Sequence, residues 1–395
     1  MQRRQFLLAS AAAASLPWSG RLFAAPRDSA RMLVVFLRGG YDSNNLLVPH
    51  ASDFYYQARP TLAIARPDAA NPNSAVALDT QWGLNPVMRD ALLPLWQCRQ
   101  LAFVPFAGTD DLSRSHFETQ DDIESGQAGR QRRDYRSGFM ARLSGVLSGV
   151  PAIAFTDSLP LTFQGGGDLP NVSLRGIGKG GLDARQAQIL SQMYDATPLA
   201  AAAREGLVLR QQVTTQLREE MEQAGRGAAS ARTFADETRR MASLMRERYR
   251  LGFVDVGGWD THANQGSVEG GLANNLRNLG EGLAAYADAL GPAWKDTVVV
   301  VLSEFGRTFR ENGSRGTDHG HGTTYWVLGG SVRGGRIAGE QVEVAQAQLL
   351  QNRDYPVLTN YRSLFGGVLS RLWGLSPAQL ERVFPGARPR DLGLV

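Results

Sequence analysis

Four of the five histidines in this 395-residue chain stand in short segments shared with carboxylates, hydroxyls and glycines. One segment reads Ser113-Arg114-Ser115-His116-Phe117-Glu118, a second Gly258-Trp259-Asp260-Thr261-His262, and a third Asp318-His319-Gly320-His321-Gly322. Two more lack histidine but carry related chemistry: Arg38-Gly39-Gly40-Tyr41-Asp42 and Ser303-Glu304-Phe305-Gly306-Arg307-Thr308. Imidazoles and carboxylates gathered in this way suit a divalent cation, zinc in the first place, with calcium and manganese as alternatives. Cys98 is the only cysteine, so neither an intramolecular disulfide nor a cysteine-based metal site can form.

Each segment also has a plainer reading. Asp42 follows two glycines, which suits a metal ligand or a turn residue whose carboxylate caps local amides. Asp260 and His262 are two residues apart, so in extended chain they point the same way. They then converge on one cation or form a hydrogen-bonded pair; the exposed glycine turn favours the cation. His319 and His321 are both candidate ligands, with Asp318 orienting one of them from behind. Glu304 at the tip of an apolar strand must be paired or metal-bound, and Arg307 is the partner nearest in sequence. Arg307, or Arg38, alternatively offers a two-pronged contact to a phosphate or sulfate group. Ser115 and Glu118 have the spacing of a helix capping box. A serine at that helix end is also placed to act as a nucleophile where amides favour an anion, with His116 as its neighbour.

The elements that must position these residues are legible as apolar runs. Met32–Leu37, Leu101–Phe106, Leu251–Val256, Val298–Leu302 and Tyr325–Leu328 read as buried strands. Four of them run straight into glycine or into one of the chemistry-bearing segments. Leu272, Leu276, Leu279, Leu283, Tyr286 and Leu290 repeat at helical spacing, one face of a helix before the fourth strand. Residues 184–249 read as a helical insertion broken near Ala224–Ala229, and Tyr361–Phe384 as two short helices with Pro377 in the first turn of the second. Alternating strands and helices predict an α/β fold with a mostly parallel sheet, whose function gathers beyond the carboxyl ends of the strands.

Composition narrows the partners. The net charge of +4 is small, and Lys179 and Lys295 are the only lysines. No basic face of the kind that binds nucleic acid is expected. The one basic run, Arg130, Arg132, Arg133 and Arg136, reads as a solvated loop or a contact for an anionic substrate. At the amino end, Arg3 and Arg4 precede Phe6 and an apolar stretch from Leu7 to Leu16, too short to span a bilayer. This predicts a twin-arginine signal peptide over residues 1–30, cleaved near Ala24 or Ala30, with the twin-arginine translocase as the export partner and a periplasmic or otherwise exported destination. No later segment is apolar enough for long enough to cross a membrane.

The twin-arginine start, Leu37–Asn45, Ser113–Gly126, Gly258–His262, Ser303–Thr308 and Asp318–Gly322, in that order, resemble the exported bacterial family called domain of unknown function 1501. The glycine-rich stretch 328–339 and Gly374–Phe384 match it as well. That family is similar to a distant branch of the alkaline phosphatase and sulfatase superfamily. The resemblance implies a single three-layer α/β/α sandwich over residues 31–395. It implies Asp42, Asp260, His262, Glu304 and His319 or His321 as metal ligands and Ser115 as nucleophile. Phe305 stands where phosphatases of that superfamily carry a histidine, so one ligand of a second metal is missing. Two functions follow: a metal-dependent hydrolase of phosphate or sulfate esters, or a non-catalytic envelope protein that keeps a partly eroded site and binds a partner or glycan.

Overall fold

The computed structural model describes residues 29–128, 134–148, 150–167, 169–174, 192–194, 197–201, 204 and 234–395. Residues 1–28 of the expected signal peptide, most of the expected helical insertion, and Arg130, Arg132 and Arg133 lie outside the described residues.

The strands, in chain order, are β1 (Arg31–Leu37), β2 (Leu47–Val48), β3 (Val76–Ala77), β4 (Gly83–Leu84), β5 (Leu101–Gly108), β6 (Ala152–Phe155), β7 (Leu251–Val256), β8 (Thr297–Ser303), β9 (Thr323–Leu328), β10 (Arg336–Ile337) and β11 (Thr359–Asn360). The helices are α1 (Asp53–Ala58), α2 (Arg89–Gln97), α3 (His116–Ser125), α4 (Phe139–Val146), α5 (Phe234–Glu247), α6 (Gly271–Leu290), α7 (Tyr361–Trp373) and α8 (Pro377–Val383). All five strands expected from the apolar runs are present, β7 with the expected bounds. The four-residue β6 and the two-residue β10 and β11 are too short to have given such a signal. Of the expected insertion, only α5 and a few short pieces fall among the described residues.

The main sheet runs β10-β5-β9-β8-β1-β7-β6, with β11 also paired to β5, while β2, β4 and β3 form a small second sheet. β1 is central and pairs in parallel with both β7 and β8. The exception to the parallel pattern is β9, antiparallel to both β5 and β8. Side chains alternate across β1. Leu33, Val35 and Leu37 join one core with α2, α5 and α6, whereas Met32, Val34 and Phe36 join a second with α3, α4, α7 and α8. Two apolar cores on opposite faces of one sheet make a three-layer α/β/α sandwich.

The topology sets where the loops meet. β1, β5, β7 and β8 deliver their carboxyl ends to one edge of the sheet. Because β9 runs the other way, the segment leading into it returns to that same edge. All five chemistry-bearing segments therefore lie along one rim.

Candidate metal centre

Three imidazoles and a carboxylate converge on that rim. His116 is the first residue of α3; Asp260 and His262 follow β7; His319 precedes β9. The Nε2 atoms of His116 and His319 lie 2.9 Å apart, and those of His262 and His319 3.1 Å apart. Asp260 Oδ1 is 2.9 Å from His262 Nε2 and 3.2 Å from His319 Nε2, and its Oδ2 is 3.5 Å from His116 Nε2. His116, Asp260 and His319 alone already offer ligand atoms mutually within 4.8 Å.

The outer ring nitrogens decide what the inner ones can do. His319 Nδ1 lies 3.0 Å from the carbonyl oxygen of Arg114, which can only accept, so Nδ1 carries the proton. His116 Nδ1 lies 2.8 Å from Glu304 Oε1 and His262 Nδ1 lies 3.3 Å from Asp318 Oδ1. Burial pushes the Glu304 carboxyl up, but hydrogen bonds from His116, Gln120 and Ser303 outweigh it and hold it below the ordinary value. Asp318 is likewise held low, with Asn312 and His262 overcoming burial. Both are therefore ionised acceptors near neutral pH, and each Nδ1 keeps its proton. All three Nε2 atoms then face one another at about hydrogen-bond distance, beside an anionic oxygen, and the bond to Glu304 raises the pKa of His116. Such a cluster repels itself unless a cation or shared protons lie between, and its donors fit a divalent ion of the zinc class. An imidazole anchored through its far nitrogen is the usual support of a metal-binding histidine.

Behind the cluster the supports are buried. Glu304 is fully enclosed, and Oε1 also accepts from the Gly39 amide at 2.8 Å and from Gln120 Nε2 at 2.8 Å. Gly39 has φ +123, and a Cβ there would meet the Asp260 amide nitrogen at 2.8 Å, so only glycine lets these two loops touch. The indole of Trp259 is buried against Tyr41 and donates to the Val256 carbonyl at 2.9 Å, which sets the turn ahead of Asp260. Arg307 is also enclosed; it donates to Asp260 at 2.6 Å and to the carbonyls of Gly39, Gly40, Trp259 and Thr317. Burial pushes the Asp260 carboxyl up, but Arg307 outweighs this and holds it low. The ligand face itself is open: the side chain of His262 is 45% exposed and that of Asp260 46%.

Several sequence expectations change here. Asp260, His262 and His319 come together; His116, read only as a neighbour of Ser115, joins them. Nothing local marks His116 as more than a first-turn residue, since its partners lie over 140 positions away. Glu304 meets His116 rather than Arg307 and supports the cluster from behind. Asp42 is not brought to it: both carboxylate oxygens are bound by Arg59, at 2.5 and 3.1 Å, and one also by Gln265. His321 makes no contact with the cluster among the described residues; it is buried, and that burial holds its pKa low. Arg307 has no free edge for an anion, because its guanidinium is filled by backbone carbonyls and Asp260. Arg38 is engaged by Glu124, Asp255 and Gln120. The Ser115–Glu118 capping box does not form, since the Ser115 side chain makes no cap hydrogen bond. Ser115 instead lies between Arg114, whose carbonyl anchors His319, and His116.

The chain is similar, at the level of the fold, to a protein in the alkaline phosphatase superfamily from Vibrio parahaemolyticus, at 12% identity with a TM-score of 0.39 over 100% of this chain and 79% of that one. It is similar also to the C-terminal periplasmic domain of EcEptC from Escherichia coli, in complex with Zn, at 9% identity and TM-score 0.35 over 76% of this chain and 74% of that one. A third likeness is to the lipoteichoic acid synthase LtaP from Listeria monocytogenes, at 7% identity and TM-score 0.37 over 92% and 77% of the two chains. No curated protein sequence matches. The family profile described as protein of unknown function DUF1501 matches residues 29–384, and the chain belongs to that family.

Proposed function

We propose that this protein is an exported hydrolase of phosphate or sulfate esters that uses one divalent metal held by His116, Asp260, His262 and His319. The observation that carries the reading is the convergence of three Nε2 atoms beside the Asp260 carboxylate, each imidazole anchored through Nδ1. A divalent ion bound there supplies Lewis acidity, neutralising charge that builds on a phosphoryl or sulfuryl oxygen. Ser115 is the candidate nucleophile. Its hydroxyl is not used in capping, and it sits at the amino end of α3, where first-turn amides and the helix dipole favour negative charge. Arg307 serves to hold Asp260 and not the substrate. Arg3, Arg4 and the apolar stretch behind them support export by the twin-arginine route. Among the described residues no helix is long and apolar enough to cross a membrane.

The test is elemental analysis of the purified full-length protein, together with turnover of nitrophenyl phosphate and nitrophenyl sulfate. Near-stoichiometric zinc or manganese that His319→Ala loses, with turnover that Ser115→Ala abolishes while keeping the metal, is the expected result. Folded protein that takes up no zinc, manganese or calcium overturns the reading. Metal without turnover of any ester leaves the second reading, an envelope protein that binds a partner or glycan. The engagement of Arg307 and Arg38 favours that second reading, because neither guanidinium is then free for an anionic group.

A further inference from the structure

Beneath the metal centre lies a buried polar column that the chemistry above does not use. Arg59 is fully enclosed and pairs with Asp42 through two nitrogens. Its Nε donates to the Phe309 carbonyl at 2.7 Å and Nη2 to the Thr308 carbonyl at 3.0 Å, the two residues directly after Arg307. On the other side of Asp42 stands Gln265, 1% exposed, whose Nε2 donates to Asp42 Oδ2 at 2.6 Å. A carboxylate paired with a guanidinium only accepts, so the amide nitrogen of Gln265 must face it. Its amide oxygen then faces the opposite way and accepts from Thr261 Oγ1 at 2.9 Å and Thr317 Oγ1 at 2.8 Å. Thr261 lies between Asp260 and His262, and Thr317 lies two residues before His319. The backbone of Gln265 is itself tied at both groups, donating to Arg315 at 2.9 Å and accepting from Leu272 at 3.1 Å.

We propose that Gln265 is a positioning residue for the metal centre, setting the spacing between the loop that carries Asp260 and His262 and the loop that carries His319. This rests on the reading that those side chains hold a divalent metal. An amide suits the place because it presents a donor to the carboxylate and two acceptor lone pairs to the hydroxyls. An ionised glutamate would face Asp42 with like charge, and leucine would leave both hydroxyls and Asp42 short of a partner. The fully buried Asp42–Arg59 pair gives the column a rigid base, since neither charge can leave without exposing the other.

The experiment uses the full chain as wild type, Gln265→Leu, the double variant Thr261→Val/Thr317→Val and the double variant Thr261→Ser/Thr317→Ser. Zinc affinity is measured by chelator competition and ligand geometry by the visible spectrum of the cobalt(II) form, with circular dichroism as the check on folding. The proposal expects zinc binding about 10- to 100-fold weaker in Gln265→Leu and in the double valine variant, as for other groups that orient metal ligands. Both should show displaced cobalt bands at unchanged dichroism, and the double serine variant should restore wild-type behaviour. Wild-type zinc affinity and cobalt bands in the double valine variant would overturn it, and this variant also decides the matter where Gln265→Leu does not fold. A wild-type protein that takes up neither zinc nor cobalt removes the metal reading itself, a result separable from the first because it appears before any substitution is made.

Discussion

Asp42 shows how one residue type at one place can serve two chemistries. A carboxylate after the first strand of such a sheet is suited to hold a cation, and here the cation is the Arg59 guanidinium, with both side chains fully buried. Removing one member of a buried pair is far more costly than removing both, because the survivor is left charged and unpaired. Asp42→Asn is therefore expected to destabilise the protein by about 3–5 kcal/mol. The double change Asp42→Leu/Arg59→Met should cost clearly less, with both read from urea unfolding midpoints. Equal losses in the two would show that the pair is not what holds the loops after β1 and β8 together. The same scale explains why sequence reading placed Asp42 and Arg307 among site residues. Their types fit that chemistry, but the partner that engages each one is set by the folded backbone.

At the scale of elements, the loops that carry Arg307 and His319 pack backbone against backbone. Gly306 donates to the His321 carbonyl at 2.9 Å and Gly320 to the Gly306 carbonyl at 2.8 Å. Arg307 and His319 are thereby paired across an isolated antiparallel bridge. A Cβ on Gly306 would lie 2.1 Å from the Gly322 carbonyl oxygen, a contact that rigid backbone on both sides cannot relieve. Gly306→Ala should thus force the two loops apart, lowering the melting temperature by several degrees, the size expected for 1–3 kcal/mol of overpacking in a large domain. It should weaken zinc binding in parallel. An unchanged zinc affinity in Gly306→Ala would mean that the bridge does not set the place of His319. Capping follows the same distinction between pattern and contact. Ser115 and Glu118 have the spacing of a capping box that does not form, whereas Ser376 and Gln379 form one at the start of α8.

Across the whole molecule, the chain end is held against α7 by Asp391, which accepts from Arg371 at 2.5 and 2.7 Å and from the Gly393 amide at 2.8 Å. Burial pushes its carboxyl up, but the Gly393 amide and Arg371 outweigh it and hold it below the ordinary value. With the folded value depressed, the contribution is complete above the unfolded value near about 3.9 and is lost as pH falls through the folded value. The pair is largely solvent-exposed, so it contributes less than about 1 kcal/mol. The melting temperature of Asp391→Asn should accordingly lie slightly below that of the wild type near neutral pH, and the gap should close on acidification below about pH 4. A gap that widens in acid would contradict the assigned sign.

The sequence by itself determined the five strands β1, β5, β7, β8 and β9, the long helix before β8, the α/β class and the five segments that carry the chemistry. Burial in a parallel sheet demands continuous apolar runs, and the glycines and polar residues that end them are local signals. Only the tertiary structure decided which of those residues meet. His116 and His319 are 203 positions apart, and they touch because α3 follows β5 while β9 runs antiparallel beside it. Strand order and direction are set by non-local pairing and leave no mark in local composition. The same holds for Asp42, His321 and Arg307: their chemistry is written in the chain, and their partners are chosen by the backbone that folds around them.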